Sequence, residues 1–84
     1  MKTTMNTNLN LELYYYEGCP YCERVLKVIR ENNFNVKLLD IYEKSEYLNN
    51  LIKVTGRKTV PCLFINGSPM HESLEIINWL KQNG

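Results

Sequence analysis

Apolar and polar residues alternate at Leu9, Leu11 and Leu13, and the run continues into Tyr14, Tyr15 and Tyr16. A period of two places successive side chains on opposite faces of an extended chain, so residues 9–16 are predicted to form a strand. Glu17-Gly18 breaks it. From residue 20 the spacing becomes helical: Cys22, Leu26 and Ile29 fall on one side, with Val25 and Val28 beside them, until Asn32-Asn33 ends the pattern. Residues 34–39 read as a second strand, with Val36 and Leu38 on one face. Ser45 suits the N-cap of a second helix whose Leu48, Leu51 and Ile52 form a buried stripe, and Gly56 fits the position just past its end. Residues 62–65 are an unbroken apolar run, read as a third strand. Asn66-Gly67 is a strong two-residue hairpin turn, so residues 68–71 are expected to return as a short antiparallel strand. Ser73 is expected to cap a last helix carrying Leu74, Ile76, Ile77 and Leu80.

The predicted order is therefore β-α-β-α-β-β-α. Two strands joined through a helix run parallel with a right-handed crossover, whereas the closing hairpin is antiparallel. Together these features predict an α/β domain with a four-stranded mixed sheet and helices on both faces. Eighty-four residues are enough for one modest core. Residues 1–8 are polar and are read as a flexible lead-in to a domain spanning 9–84.

Composition narrows the function mainly by exclusion. An apolar content of 44%, a charged content of 23% and a net charge of +1 describe an ordinary globule. There is no electrostatic case for nucleic acid or a membrane surface as partner. No stretch approaches the roughly 20 apolar residues of a membrane span, and residues 1–8 lack the apolar core of a secretory signal. Three cysteines are an odd count and do not suggest a disulfide scaffold; in a cytoplasmic setting such residues are catalytic or metal-binding.

The chemistry is concentrated at Cys19-Pro20-Tyr21-Cys22. Two thiols at this spacing can close a disulfide with little backbone movement, and an open or closed dithiol carries two electrons. Pro20 suits the first helical position, where a missing N–H costs nothing. Cys19 then falls at the N-cap, facing unpaired backbone N–H groups and the positive end of the helix dipole, both of which favour thiolate. Cys22 lies one turn in and is expected to be less exposed. Cys19 is thus read as the attacking thiol and Cys22 as the resolving one. A zinc half-site has the same spacing, but its remaining ligands would have to be Cys62 and His71, whose spacing matches no zinc ribbon, and no metal is expected. Cys62 is read as a small buried hydrophobe, His71 as a surface or strand-end residue, and Trp79 with the Tyr14–Tyr16 run as packing, with Tyr16 at the edge of the thiol groove.

A second motif follows at Thr59-Val60-Pro61-Cys62-Leu63-Phe64-Ile65-Asn66-Gly67. An early CxxC helix with a later Val-Pro opening a strand is the thioredoxin-superfamily arrangement. The pair CPYC and TVPxxFIxG, in this order, resembles the dithiol glutaredoxins of the short bacterial type over residues 9–82. The resemblance implies a thioredoxin-like fold and a cis Val60–Pro61 bond lying against the reactive cysteines. It also implies a monomeric, cytoplasmic oxidoreductase that uses glutathione as co-substrate to reduce disulfide-bonded or glutathionylated proteins. Of the glutathione contacts it implies, Tyr21 lines the thiol groove, Thr59 and Pro61 flank it, and Val60 offers its backbone to the cysteinyl part. Lys58 supplies charge for the glycyl carboxylate, with Arg57 beside it. Ser73 and the backbone N–H of Leu74 receive the γ-glutamyl end. Two places depart from the family pattern: Tyr16 stands where a basic residue is usual, and His71-Glu72-Ser73-Leu74 replaces a Gly-Gly-(Cys/Ser)-Asp turn. The Glu-Ser pair also resembles the glutathione-binding turn of glutathione transferases. The departures keep open a glutaredoxin-like electron donor reduced by thioredoxin reductase, for example to ribonucleotide reductase. A dimer bridging an iron–sulfur cluster is the third reading, and Pro20 argues against it.

Overall fold

The computed structural model describes residues 9–83; the expected lead-in over 1–8 lies outside them. The elements are β1 (Leu11–Tyr15), α1 (Pro20–Glu31), β2 (Lys37–Asp40), α2 (Ser45–Thr55), β3 (Cys62–Ile65), β4 (Ser68–Met70) and α3 (Ser73–Asn83). This is the predicted order. The sheet runs β2-β1-β3-β4, with β1 parallel to β2 and antiparallel to β3, and β3 antiparallel to β4.

Alternation along the central strands builds two half-cores. Leu11 and Leu13 of β1 and Leu63 of β3 face Val25, Leu26, Val28 and Ile29 of α1 and Ile76 and Leu80 of α3. On the other face, Tyr14, Cys62 and Phe64 meet Leu39 of β2, Ile41 just after it, and Leu51 of α2. The Tyr14 and Phe64 rings pack tilted, 5.1 Å apart. Burying each large side chain in these layers is worth roughly 1.5–3 kcal/mol.

Local signals hold the ends. Asn66 and Gly67 both have positive φ, 51° and 88°, as a type I′ hairpin turn demands. The Asn66 side chain also accepts the Asn10 N–H at 2.7 Å, clamping the hairpin to the entry of β1. Gly56 closes α2 in the left-handed conformation, φ 84°.

Four expectations need correction. Ser45 and Ser73 are the first residues of their helices and not the caps: Lys44 is the N-cap of α2 and makes no side-chain capping bond, and the Glu72 carbonyl accepts the first bond of α3, from Ile76. Leu38 is exposed, because β2 is an edge strand with no helix laid over that side chain; Leu39 and Ile41, pointing the other way, are buried. Of the α2 stripe, Leu51 is buried and Leu48 partly so, while Ile52 is exposed. In the first turn of α3 Leu74 is 67% exposed, since the helix meets the core only from Ile76 onward.

Candidate functional site

Three backbone segments meet at the CxxC turn. The first leaves β1 through Gly18, whose φ is 94°. A Cβ there would meet nothing within 4 Å, so glycine is required by the backbone angle alone. The turn delivers Cys19 in extended conformation as the N-cap of α1, with Pro20 opening the helix. The Cys19 Sγ accepts the Cys22 N–H at 3.3 Å, and its carbonyl accepts Glu23 N–H at 2.9 Å. The sulfur thus meets an N–H of the first turn that has no partner within the helix. Cys22 is fully enclosed. Burial, and after it the hydrogen bond with Cys19, pushes its thiol from the ordinary 9.0 up to about 12. Both thiols are buried, Cys19 at 4% exposure and Cys22 at 0%, and they differ in that the Cys19 sulfur caps the helix whereas Cys22 lies inside its first turn.

The second segment is Thr59-Val60-Pro61, which enters β3 through a cis Val60–Pro61 peptide. The third is the Glu72-Ser73 entry to α3, where Glu72 holds a left-handed φ of 69°. Between them lies a groove of about 240 Å³ lined by Tyr21, Thr59, Val60, Pro61, Glu72 and Ser73. Five of the residues nominated from sequence thus share one cleft beside the dithiol. Tyr21 is largely exposed along it, with the Arg24 guanidinium 5.8 Å from its ring centre. Leu74 and Lys58 do not line the groove. Leu74 is the second residue of α3, where a backbone N–H has no partner within the helix.

Lys58 has a different engagement. Its Nζ donates to the Tyr42 hydroxyl at 3.0 Å, and this bond is the first cause of a raised ammonium pKa. The Tyr42 ring in turn packs against Tyr16 at 5.2 Å. The Tyr16 phenol is held above its ordinary value, first by the negative charge of Cys19. Sequence reasoning missed Tyr42, which belongs to no motif, and left Glu72 out of the groove. The Glu-Ser pair was the one signal for the latter. Cys62 is fully enclosed, and burial pushes its thiol up to about 11. His71 follows β4 half-buried, with Nδ1 enclosed, more deeply set than a surface residue. Among the described residues no three His, Cys, Asp or Glu side chains gather as a metal site, and no helix is long and apolar enough to cross a membrane.

An N-capping cysteine with its CxxC partner, a cis proline opposite, and a four-stranded mixed sheet between helices define a thioredoxin-like domain. The sequence model of the glutaredoxin family matches residues 11–70, and the chain belongs to that family. It is 35% identical over 57 residues to glutaredoxin 3 of Escherichia coli (strain K12), covering 68% of this chain and 69% of that one. It is 36% identical over 58 residues to mitochondrial glutaredoxin-2 of Rattus norvegicus, covering 66% of this chain but only 37% of the rat protein. Among solved structures, glutaredoxin 2 of Salmonella typhimurium in complex with glutathione superposes with a TM-score of 0.69 at 25% identity, covering 83% of this chain and 32% of that one.

Proposed function

We propose that this protein is a cytoplasmic, monomeric thiol–disulfide oxidoreductase that uses glutathione as reductant, acting on glutathionylated proteins and protein disulfides through Cys19 and Cys22. The observation that carries this reading is the N-capping Cys19 sulfur, bonded to the Cys22 N–H at 3.3 Å, beside a groove that ends in a helix N-terminus. Cys19 thiolate attacks the glutathionyl sulfur of a protein–glutathione disulfide. The old S–S bond breaks, the protein thiolate leaves and takes up a proton, and glutathione stays on Cys19. A second glutathione thiolate attacks that glutathionyl sulfur, giving oxidised glutathione and restoring Cys19. On a protein disulfide, Cys19 forms a mixed disulfide, and Cys22 then loses its proton and attacks the Cys19 sulfur, closing the CxxC bond as the substrate's second thiol departs. Because burial keeps Cys22 protonated, it waits until a disulfide is within reach.

The groove suits glutathione in its parts. Val60 presents backbone N–H and carbonyl to a peptide as an added sheet rung. Ser73 and the first turn of α3 offer hydroxyl and N–H groups to a carboxylate, and Lys58, next to the lining residue Thr59, offers a cation for the other one. The similar Salmonella protein holds glutathione. The neutral Tyr16 beside Cys19 favours one second reading, an electron donor reduced by thioredoxin reductase. The deciding assay is turnover of a glutathionylated peptide with glutathione and glutathione reductase, run beside thioredoxin reductase. Turnover only in the first is expected; turnover only in the second overturns the glutathione reading.

A further inference from the structure

The Tyr16–Tyr42–Lys58 chain of contacts begins at the reactive cysteine and ends at the groove-lining loop. Cys19 N–H donates to the Tyr16 carbonyl at 3.4 Å, the Tyr16 and Tyr42 rings pack at 5.2 Å, and the Tyr42 hydroxyl accepts Lys58 Nζ at 3.0 Å. Tyr42 is placed by a built turn. Ile41, buried, donates its N–H to the Tyr15 carbonyl at 2.9 Å. The Asp40 carboxylate accepts the Tyr42 N–H at 2.9 Å, and the Asp40 carbonyl accepts Glu43 N–H at 3.0 Å. Lys58 is placed from the other side. The Thr55 hydroxyl donates to the Leu51 carbonyl at 2.8 Å and accepts the Arg57 N–H at 3.3 Å, which fixes the exit of α2 one residue before Lys58. An exposed lysine on its own samples many rotamers, and its charge is spread over a wide volume of solvent. Tying the ammonium to a phenol that is itself packed on Tyr16 holds that charge beside the Tyr16–Tyr42 pair, where Tyr16, three positions before Cys19, supplies none.

We propose that Tyr42 is a positioning residue: its hydroxyl holds the Lys58 ammonium and its ring, packed on Tyr16, anchors that ammonium where the glycyl carboxylate of the incoming glutathione arrives. The inference rests on glutathione being the reductant. It predicts that Tyr42 acts through KM and not through the exchange chemistry, because its side chain engages Lys58 and Tyr16.

The test compares glutathione with its glycyl monoethyl ester as reductants of a glutathionylated peptide, for wild type, Tyr42→Phe, Lys58→Ala and the double variant. Tyr42→Phe keeps the ring and removes the hydroxyl. Wild type is expected to prefer the free acid several-fold in kcat/KM. Both single variants are expected to lose that preference through KM, with kcat within about twofold, and the double variant is expected to be no worse than Lys58→Ala. The Lys58 ammonium, titrated by NMR without substrate, is expected to fall in pKa in Tyr42→Phe, which reports the loss of the Tyr42–Lys58 bond, while the acid-over-ester preference reports the role in glutathione use. If Lys58→Ala loses the preference and Tyr42→Phe keeps it, the role of Tyr42 is overturned and the glutathione reading stands. If wild type uses acid and ester equally well, the carboxylate role is overturned while glutathione use stands. If neither reductant supports turnover, both fall together.

Discussion

The two cysteines of the CxxC differ in what each sulfur meets. Cys19 takes a helix-terminal N–H; Cys22 is sealed in the protein and kept protonated. A step that needs only Cys19 is independent of the Cys22 proton. Cys22→Ser is therefore expected to retain turnover of glutathionylated peptide and to lose reduction of protein disulfides, whereas Cys19→Ser loses both; equal loss in the peptide assay refutes the division of roles. The same contrast gives a pH dependence. Resolution by Cys22 requires its thiolate, and burial, the first cause of its raised pKa and the one that persists once Cys19 is held in a mixed disulfide, disfavours that form, so in single-turnover experiments the rate is expected to rise from pH 7 to 9. A plateau near neutral pH contradicts the assignment. At this scale the motifs made Cys19, Cys22, Tyr21 and the 59–61 segment legible, because each works through adjacent residues. Tyr42 was not legible: it meets Lys58 across 16 positions, and only the turn at Asp40 brings them together.

Among the elements, the central strands and α1 followed their periodicity because both faces of β1 and β3 are covered, so every alternate apolar residue has a partner. Burial at the margins depends instead on where neighbours stop. Leu38 on the edge strand and Ile52 and Leu74 on helix flanks fit their periodic patterns but are exposed, since no sequence pattern says which side of an edge element remains uncovered. Both serine caps slipped by one residue, because Lys44 and Glu72 take the cap positions through backbone geometry alone. The central layer gives a stability prediction. Leu63 is fully buried between β1, α1 and α3, so Leu63→Ala is expected to cost about 2–5 kcal/mol in denaturant unfolding. The exposed Leu74→Ala is expected to change stability by less than about 0.5 kcal/mol. Gly18→Ala probes the join between strand and active helix. With open space around the Cβ, its cost comes from φ alone and is expected to be about 1 kcal/mol. A larger loss of activity than of stability would show that this turn sets the position of Cys19.

For the whole molecule, folding encloses thiols that water would otherwise hydrate. Cys22 and Cys62 are fully buried and pushed up from 9.0 to about 12 and about 11. The unfolded chain, whose thiols titrate near the ordinary value, then binds fewer protons than the native state at any pH between about 9 and 11. Stability falls with rising pH wherever the native state holds the extra protons, by up to about 1.4 kcal/mol per pH unit for each thiol. Below pH 9 both thiols are protonated in either state, and their contribution is fully present. In the fully reduced protein the contribution of these two thiols to the urea midpoint is therefore expected to be constant from pH 7 to about 8.5 and to fall progressively as pH rises toward 11. The raised phenols of Tyr14 and Tyr15 act in the same direction at higher pH. Cys62→Ala tests the attribution in a side chain outside the exchange reaction. It is expected to lower the midpoint at neutral pH through lost packing and to make the alkaline fall shallower, because one of the two protons no longer couples to unfolding. An unchanged alkaline slope in Cys62→Ala, with reductant present throughout, would remove Cys62 as a cause and leave the loss to Cys22 and the tyrosines.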